Sequence, residues 1–214
     1  VVRRIEPDMV IQLLAPIFEA TVKARKKGVK VQPEVMIPLI GTVEEYRELD
    51  RLIRAVAGEI EAKQKGKLGY KVGTMIEIPR ACLVAGEVAE EAEFFSFGTN
   101  DLTQMTYGYS RDDAGKFLAD YVDKQILPAD PFQTLDKPGV GRLVDWTVVA
   151  GRKANKKLKV GVCGEHGGDA ASVEFFHGVG VDYVSCSPYR VPVARLAAAH
   201  AALTGGKGQG SGTA

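Results

Sequence analysis

Apolar residues along this chain follow two alternating spacings. Val10, Leu14, Ile17, Phe18 and Val22 recur at steps of three and four, which predicts a helix, and Gly28 after Lys26 and Lys27 marks its end. Val35, Met36, Ile37, Pro38, Leu39 and Ile40 then form a short apolar run suited to a buried strand. Thr42 with Glu45 three residues on is a capping box, and Tyr46, Leu49, Leu52, Ile53, Val56 and Ile60 line one face of the helix it opens. The same grammar repeats: strand over 70–78, helix over 79–92, strand over 94–98 and a helix from Asn100. A charged, irregular excursion over 110–137 follows, closed by Pro128, Pro131 and Pro138. A helix carrying Val140, Leu143, Val144, Thr147 and Val148 leads to a strand over 159–163, a helix over 170–177, a strand over 182–186 and an Ala-rich helix over 191–203. Trp146, on the helix that carries Val144 and Val148, reads as a packing residue. Strands alternating with helices imply a parallel sheet, and five βα units are expected. The pattern stops at the glycine-rich stretch 205–214, expected to be a flexible tail after one unit over 1–204.

Composition narrows the class. Lys+Arg 28 against Asp+Glu 27 leaves +1, so no nucleic acid and no anionic membrane is expected as a partner. No apolar run reaches the roughly 18–20 residues that a membrane-spanning helix requires. Aromatics make up 7% while glycines number 24, which points to tight turns and close backbone approaches in place of a large aromatic core. Cys82, Cys163 and Cys186 are odd in number and contain no CxxC, so neither a disulfide framework nor a structural zinc site is expected. An intracellular, reducing compartment is the expected home.

Three polar clusters fall at C-terminal strand ends, the ligand-binding edge of α/β sheets and barrels: Glu77, then Asn100 with Asp101, then Cys163, Gly164 and Glu165. Glu77 has two readings, a buried carboxylate satisfied by Arg80 or a metal ligand. Glu77 and Asp101 on neighbouring strand ends are a natural oxygen site for Mg²⁺ or Mn²⁺, and the pairing favours the metal. Gly98 lets backbone approach a ligand, and the N–H groups of Thr99 and Asn100 open a helix, where they can meet anionic oxygens or simply be capped. Cys163 is either a small apolar filler or, beside a flexible glycine, a proton donor and acceptor. His166 is left open between a role in orienting the site and an ordinary hydrogen-bonded histidine. Arg111, Asp112 and Asp113 either gate the site or hold their loop by internal ion pairs.

The motifs GTMIEIPRA at 73–81, FFSFGTNDLTQMTYGYSRDD at 94–113, KVGVCGEHGGD at 159–169 and DYVSCSPYRVPVARLAAA at 182–199 occur in order. Together they closely resemble the C-terminal phosphoenolpyruvate/pyruvate-binding region of the pyruvate phosphate dikinase family. The resemblance implies a (β/α)8 TIM-barrel type, here incomplete, with about five C-terminal βα units. It implies Mg²⁺ held by Glu77 and Asp101, substrate oxygens held by Asn100 with Gly98 and Thr99, and Cys163 as acid/base at the pyruvate methyl carbon. It also implies pyruvate/phosphoenolpyruvate as substrates, a phosphohistidine domain as partner, an ATP site in the full-length enzyme and a homodimer. No residues here match that family's substrate-binding arginines, phosphohistidine or nucleotide motifs, so the chain alone is expected not to run the complete reaction. Two other readings stand beside this one: a metal-dependent 2-oxo-acid lyase or aldolase, and a non-catalytic dimerisation fragment.

Overall fold

Five parallel strands pair in the order of the chain: β1 (Glu34–Ile37), β2 (Lys71–Ile76), β3 (Phe94–Gly98), β4 (Lys159–Cys163) and β5 (Tyr183–Val184). The computed structural model describes residues 7–205, the side chains of 7–11 excepted. The expected tail, apart from Gly205, lies outside the described residues. Sequential order is the winding of a barrel-type sheet, since a doubly wound sheet reverses direction partway. Among the described residues β1 and β5 are edges, so the sheet is open.

The strand register separates two faces. On one, Val72, Thr74 and Ile76 of β2 align with Phe95 and Phe97 of β3 and with Val160 and Val162 of β4. All seven are 0% exposed, which identifies the face the helices cover. Its core includes Leu14 and Phe18 of α1 (Pro7–Lys26), Tyr46, Ile53 and Val56 of α2 (Val43–Gln64), Ala81 and Cys82 of α3 (Pro79–Leu83) and Val88 of α4 (Ala85–Ala89). Val144 and Val148 of α8 (Arg142–Ala154) and Phe176 of α9 (Ala170–Gly178) complete it. Burial of each large apolar side chain contributes about 1.5–3 kcal/mol.

The other face carries Gly73, Met75, Ser96, Gly98, Gly161 and Cys163. Its glycines sit under neighbouring large side chains: a Cβ on Gly73 would meet the Phe94 ring, and one on Gly161 the Tyr183 ring. These strand glycines thus serve close packing between strands.

The capping box at Thr42 forms as expected, with Glu45 N donating to Thr42 Oγ1 at 3.1 Å and Thr42 N donating to Glu45 Oε2 at 3.1 Å. Four expectations change. The helix over 79–92 breaks at Val84 (φ −103°, ψ 18°), where β-branched Val84 and Gly86, both poor helix formers, follow each other closely. The 110–137 excursion contains α6 (Arg111–Ala114) and α7 (Leu118–Asp123), with a small core of Ala114, Leu118 and Phe132. Elements of four and six residues are too short to show a period. Trp146 is 57% exposed, because the buried stripe of α8 runs through Val144, Thr147, Val148 and Gly151. Finally, β5 has two laddered residues where five were expected, although Asp182 N and Ser185 N still donate to the Val160 and Val162 carbonyls.

Candidate functional site

Glu77 follows β2 directly, on the face of Gly73 and Met75, beside Gly98 at the end of β3 and Cys163 at the end of β4. Its side chain is 3% exposed. Leu39 N donates to Glu77 Oε1 at 2.8 Å, and Leu39 adopts a left-handed φ of +57° that is uncommon outside glycine. The Asp101 carboxyl lies within hydrogen-bonding reach of Glu77. Burial, above all, raises the Glu77 pKa; the Leu39 N–H opposes the shift and the neighbouring Asp101 adds to it. Arg80, the expected partner, donates instead to the Gly41 carbonyl. Among the described residues no Lys or Arg forms an ion pair with Glu77 or Asp101.

A buried carboxyl facing a second carboxyl is unfavourable in its ionised form, and a positive ion between the two would relieve that cost. Their oxygens fit a hard divalent cation. Among the described residues no third His, Cys, Asp or Glu joins them, so water and substrate oxygens would complete the shell, the usual arrangement for Mg²⁺.

Gly98 is required for this pairing. A Cβ there would collide with Glu77 Oε2 and stand 2.7 Å from Met75 Sδ. Gly98→Ala is therefore expected to destabilise the chain by about 1–3 kcal/mol in urea unfolding, as overpacking does. A neutral result would contradict this geometry.

Helix α5 (Thr99–Tyr107) starts at once after β3, placing Asn100 and Asp101 in its first turn. Asn100 Oδ1 accepts the Glu165 N–H at 3.4 Å, across the sheet edge. Cys163 is half-buried, and its Sγ donates to the Phe97 carbonyl at 3.4 Å. Burial pushes its pKa up against a hydrogen bond with Ser96, and the charges of Glu77 and Asp101 push it further. The thiol is thus held protonated, in the electrostatic reach of both carboxyls. Gly164 next to it has φ +115° and ψ −179°, a region open essentially to glycine.

His166 is fully buried. Its Nδ1 lies 2.8 Å from Thr99 Oγ1 and its Nε2 2.8 Å from the Pro131 carbonyl oxygen. Neither contact was legible in the spacing. Burial lowers the His166 pKa below the ordinary 6.5, so the unfolded chain takes up this proton first as pH falls. The stability from neutral His166 is complete above about 6.5 and is lost as pH drops toward the lower folded value. The unfolding free-energy gap between wild type and His166→Gln is expected to narrow from pH 7 to pH 5 in chemical denaturation; a constant gap would contradict the neutral assignment.

Arg111 serves as a tie between segments: its Nη2 is 3.7 Å from Glu165 Oε1, while Asp113 pairs locally with Lys116 at 2.6 Å. The excursion thereby walls a cavity of about 670 Å³ bordered by Arg111, Leu118, Phe132, Glu165 and Arg190, while Glu77, Asp101 and Cys163 are not among its lining residues.

Residues 6–203 match the family described as PEP-utilising enzyme, PEP-binding domain. The chloroplastic pyruvate, phosphate dikinase of Flaveria pringlei is 58% identical over 193 residues, covering 90% of this chain and 20% of that protein. Pyruvate, phosphate dikinase 2 of Zea mays is 58% identical, covering 90% and 22%. The chloroplastic dikinase 1 of Oryza sativa subsp. japonica is 56% identical, covering 92% and 21%. The chain thus spans about a fifth of the length of these curated relatives. Among solved structures, a citrate lyase from Burkholderia xenovorans LB400 superposes with a TM-score of 0.50, covering 77% of this chain and 48% of that one at 18% identity, a likeness of fold alone.

Proposed function

The chain belongs to the PEP-utilising enzymes, through their PEP-binding domain, and from that premise we propose that it forms the pyruvate/phosphoenolpyruvate site of a pyruvate phosphate dikinase. The reaction of the whole enzyme is ATP + phosphate + pyruvate to AMP + diphosphate + phosphoenolpyruvate. This site's share is phosphoryl transfer between a phosphohistidine on another domain and pyruvate enolate. The observation that carries the reading is the Glu77–Asp101 carboxyl pair, with Glu77 buried and no Lys or Arg paired to either among the described residues, close to the Cys163 thiol at a neighbouring strand end.

Glu77 and Asp101 would hold Mg²⁺. When bound, the ion supplies positive charge against the oxygens of the 2-oxo acid. The Asn100 side chain and the backbone of Gly98 and Thr99 orient those oxygens. Once phosphoenolpyruvate has given its phosphoryl group to the histidine, the Cys163 S–H delivers its proton to the methylene carbon of the enolate and yields pyruvate. In the other direction the thiolate removes a methyl proton, and the enolate oxygen takes the phosphoryl group. The raised pKa of Cys163 suits the donor role. A homodimer belongs to the same reading, supported by the exposed Leu196 and Leu203 of α10 (Val191–Thr204). Three free cysteines support a reducing compartment.

Oxalate, a planar mimic of pyruvate enolate, tests the reading by calorimetry. Saturable binding of one oxalate per chain that requires Mg²⁺ is the expected result. Binding that is the same without the metal, or no binding at all, would overturn the site assignment.

A further inference from the structure

The chemistry above leaves the buried His166 bridge unused. The Pro131 carbonyl can only accept, so His166 Nε2 carries the hydrogen in that 2.8 Å contact. The neutral ring then has a lone pair on Nδ1, and the Thr99 hydroxyl donates to it at 2.8 Å. Thr99 has a single proton, so the Cys163 carbonyl, 3.3 Å from Thr99 Oγ1, is the weaker competitor for it. His166 stands three residues after Cys163, in the short helical turn Glu165–Gly168. Thr99 stands immediately before Asn100 and Asp101. One hydrogen bond therefore joins the segment holding the thiol to the segment holding a carboxyl and the amide. The two segments also press together around it: a Cβ on Gly164 would stand 2.7 Å from Thr99 Oγ1, and Glu165 N–H reaches Asn100.

We propose that His166 is a positioning residue, acting through the Thr99 hydroxyl to hold the Cys163 strand end in register with the start of α5. The Pro131 contact anchors the ring and sets its tautomer. The catalytic consequence rests on the dikinase reading; the positioning itself rests on geometry alone.

Asparagine and glutamine separate the two bonds. His166→Asn places an acceptor near the position of Nδ1 and keeps the Thr99 bond. His166→Gln places a donor near Nε2 and keeps the Pro131 bond. Iodoacetamide labelling of Cys163 in the metal-free chain, followed by peptide mass spectrometry, reads how firmly that strand end is held, with Cys82 as the buried reference thiol. His166→Gln and Thr99→Val are each expected to speed Cys163 labelling about threefold or more, and the double variant no further, because both cut one link. His166→Asn and Thr99→Ser should stay within about twofold of wild type, with Cys82 unchanged in all five variants. Equal rates for Asn and Gln, additive effects in the double variant, or a Cys82 rate that rises in step would overturn the proposal. Mg²⁺ with oxalate should protect Cys163 in wild type. Loss of that protection with the Asn/Gln contrast intact would remove the metal reading and leave the positioning role.

Discussion

Glu77→Gln and Asp101→Asn are each expected to weaken Mg²⁺-dependent oxalate binding by about 100-fold or more. The same Glu77→Gln change is expected to stabilise the metal-free chain. Glu77 is buried against another carboxyl, and its pKa is raised, so its ionised form is unfavourable in the folded state. That penalty is present at pH values above the folded pKa and disappears as pH falls through it toward the ordinary 4.5. Glutamine can still accept the Leu39 N–H through its side-chain oxygen while removing the charge that faces Asp101. Calorimetry and urea unfolding at pH 7.5 read the two effects on one sample. Tighter folding with lost binding is the signature of a site built for a cation. A glutamine variant that binds Mg²⁺ and oxalate like wild type, or that is less stable without metal, would identify Glu77 as a structural carboxylate.

Cys163→Ala should give the opposite division. In a full-length dikinase whose matching fifth is replaced by this chain, exchange of the pyruvate methyl protons with D₂O is expected to fall about 10²- to 10⁴-fold, the usual contribution of a positioned acid/base. Oxalate affinity with Mg²⁺ in the isolated chain should change little, since the sulfur is not among the oxygens proposed to hold the ion. Cys163→Ser keeps the size but raises the acidity barrier, and should lose exchange as well. Exchange that survives in both variants would remove Cys163 from the chemistry, and loss of folding would assign it to packing.

That these groups gather at one sheet edge was legible in the sequence, for a physical reason. Carboxyl, amide and thiol groups that end apolar strands are conspicuous because their surroundings predict burial, and Glu77, Asp101 and Cys163 stand out in that way. The capping box at Thr42 was equally plain, since it is a local pattern of four residues. What could not be read depends on contacts far apart in the chain. The turn of Leu39 toward Glu77 needs β1 and β2 side by side. The two bonds of His166 join residues separated by 67 and 35 positions. Arg80, the obvious partner for Glu77 by proximity in sequence, donates instead to the Gly41 carbonyl 39 positions away. The short helices of the excursion carry no periodic signal and are held by Ala114 of α6 and Leu118 of α7 packing with Phe132 from a separate turn.

Crystals of the chain grown with Mn²⁺ and oxalate test the central claim most directly, because Mn²⁺ scatters anomalously and replaces Mg²⁺ at oxygen sites. The expected result is a single anomalous peak between the Glu77 and Asp101 carboxyls, with oxalate against it on the side of Cys163 and Asn100. A peak located elsewhere, or oxalate seated away from both carboxyls, would contradict it.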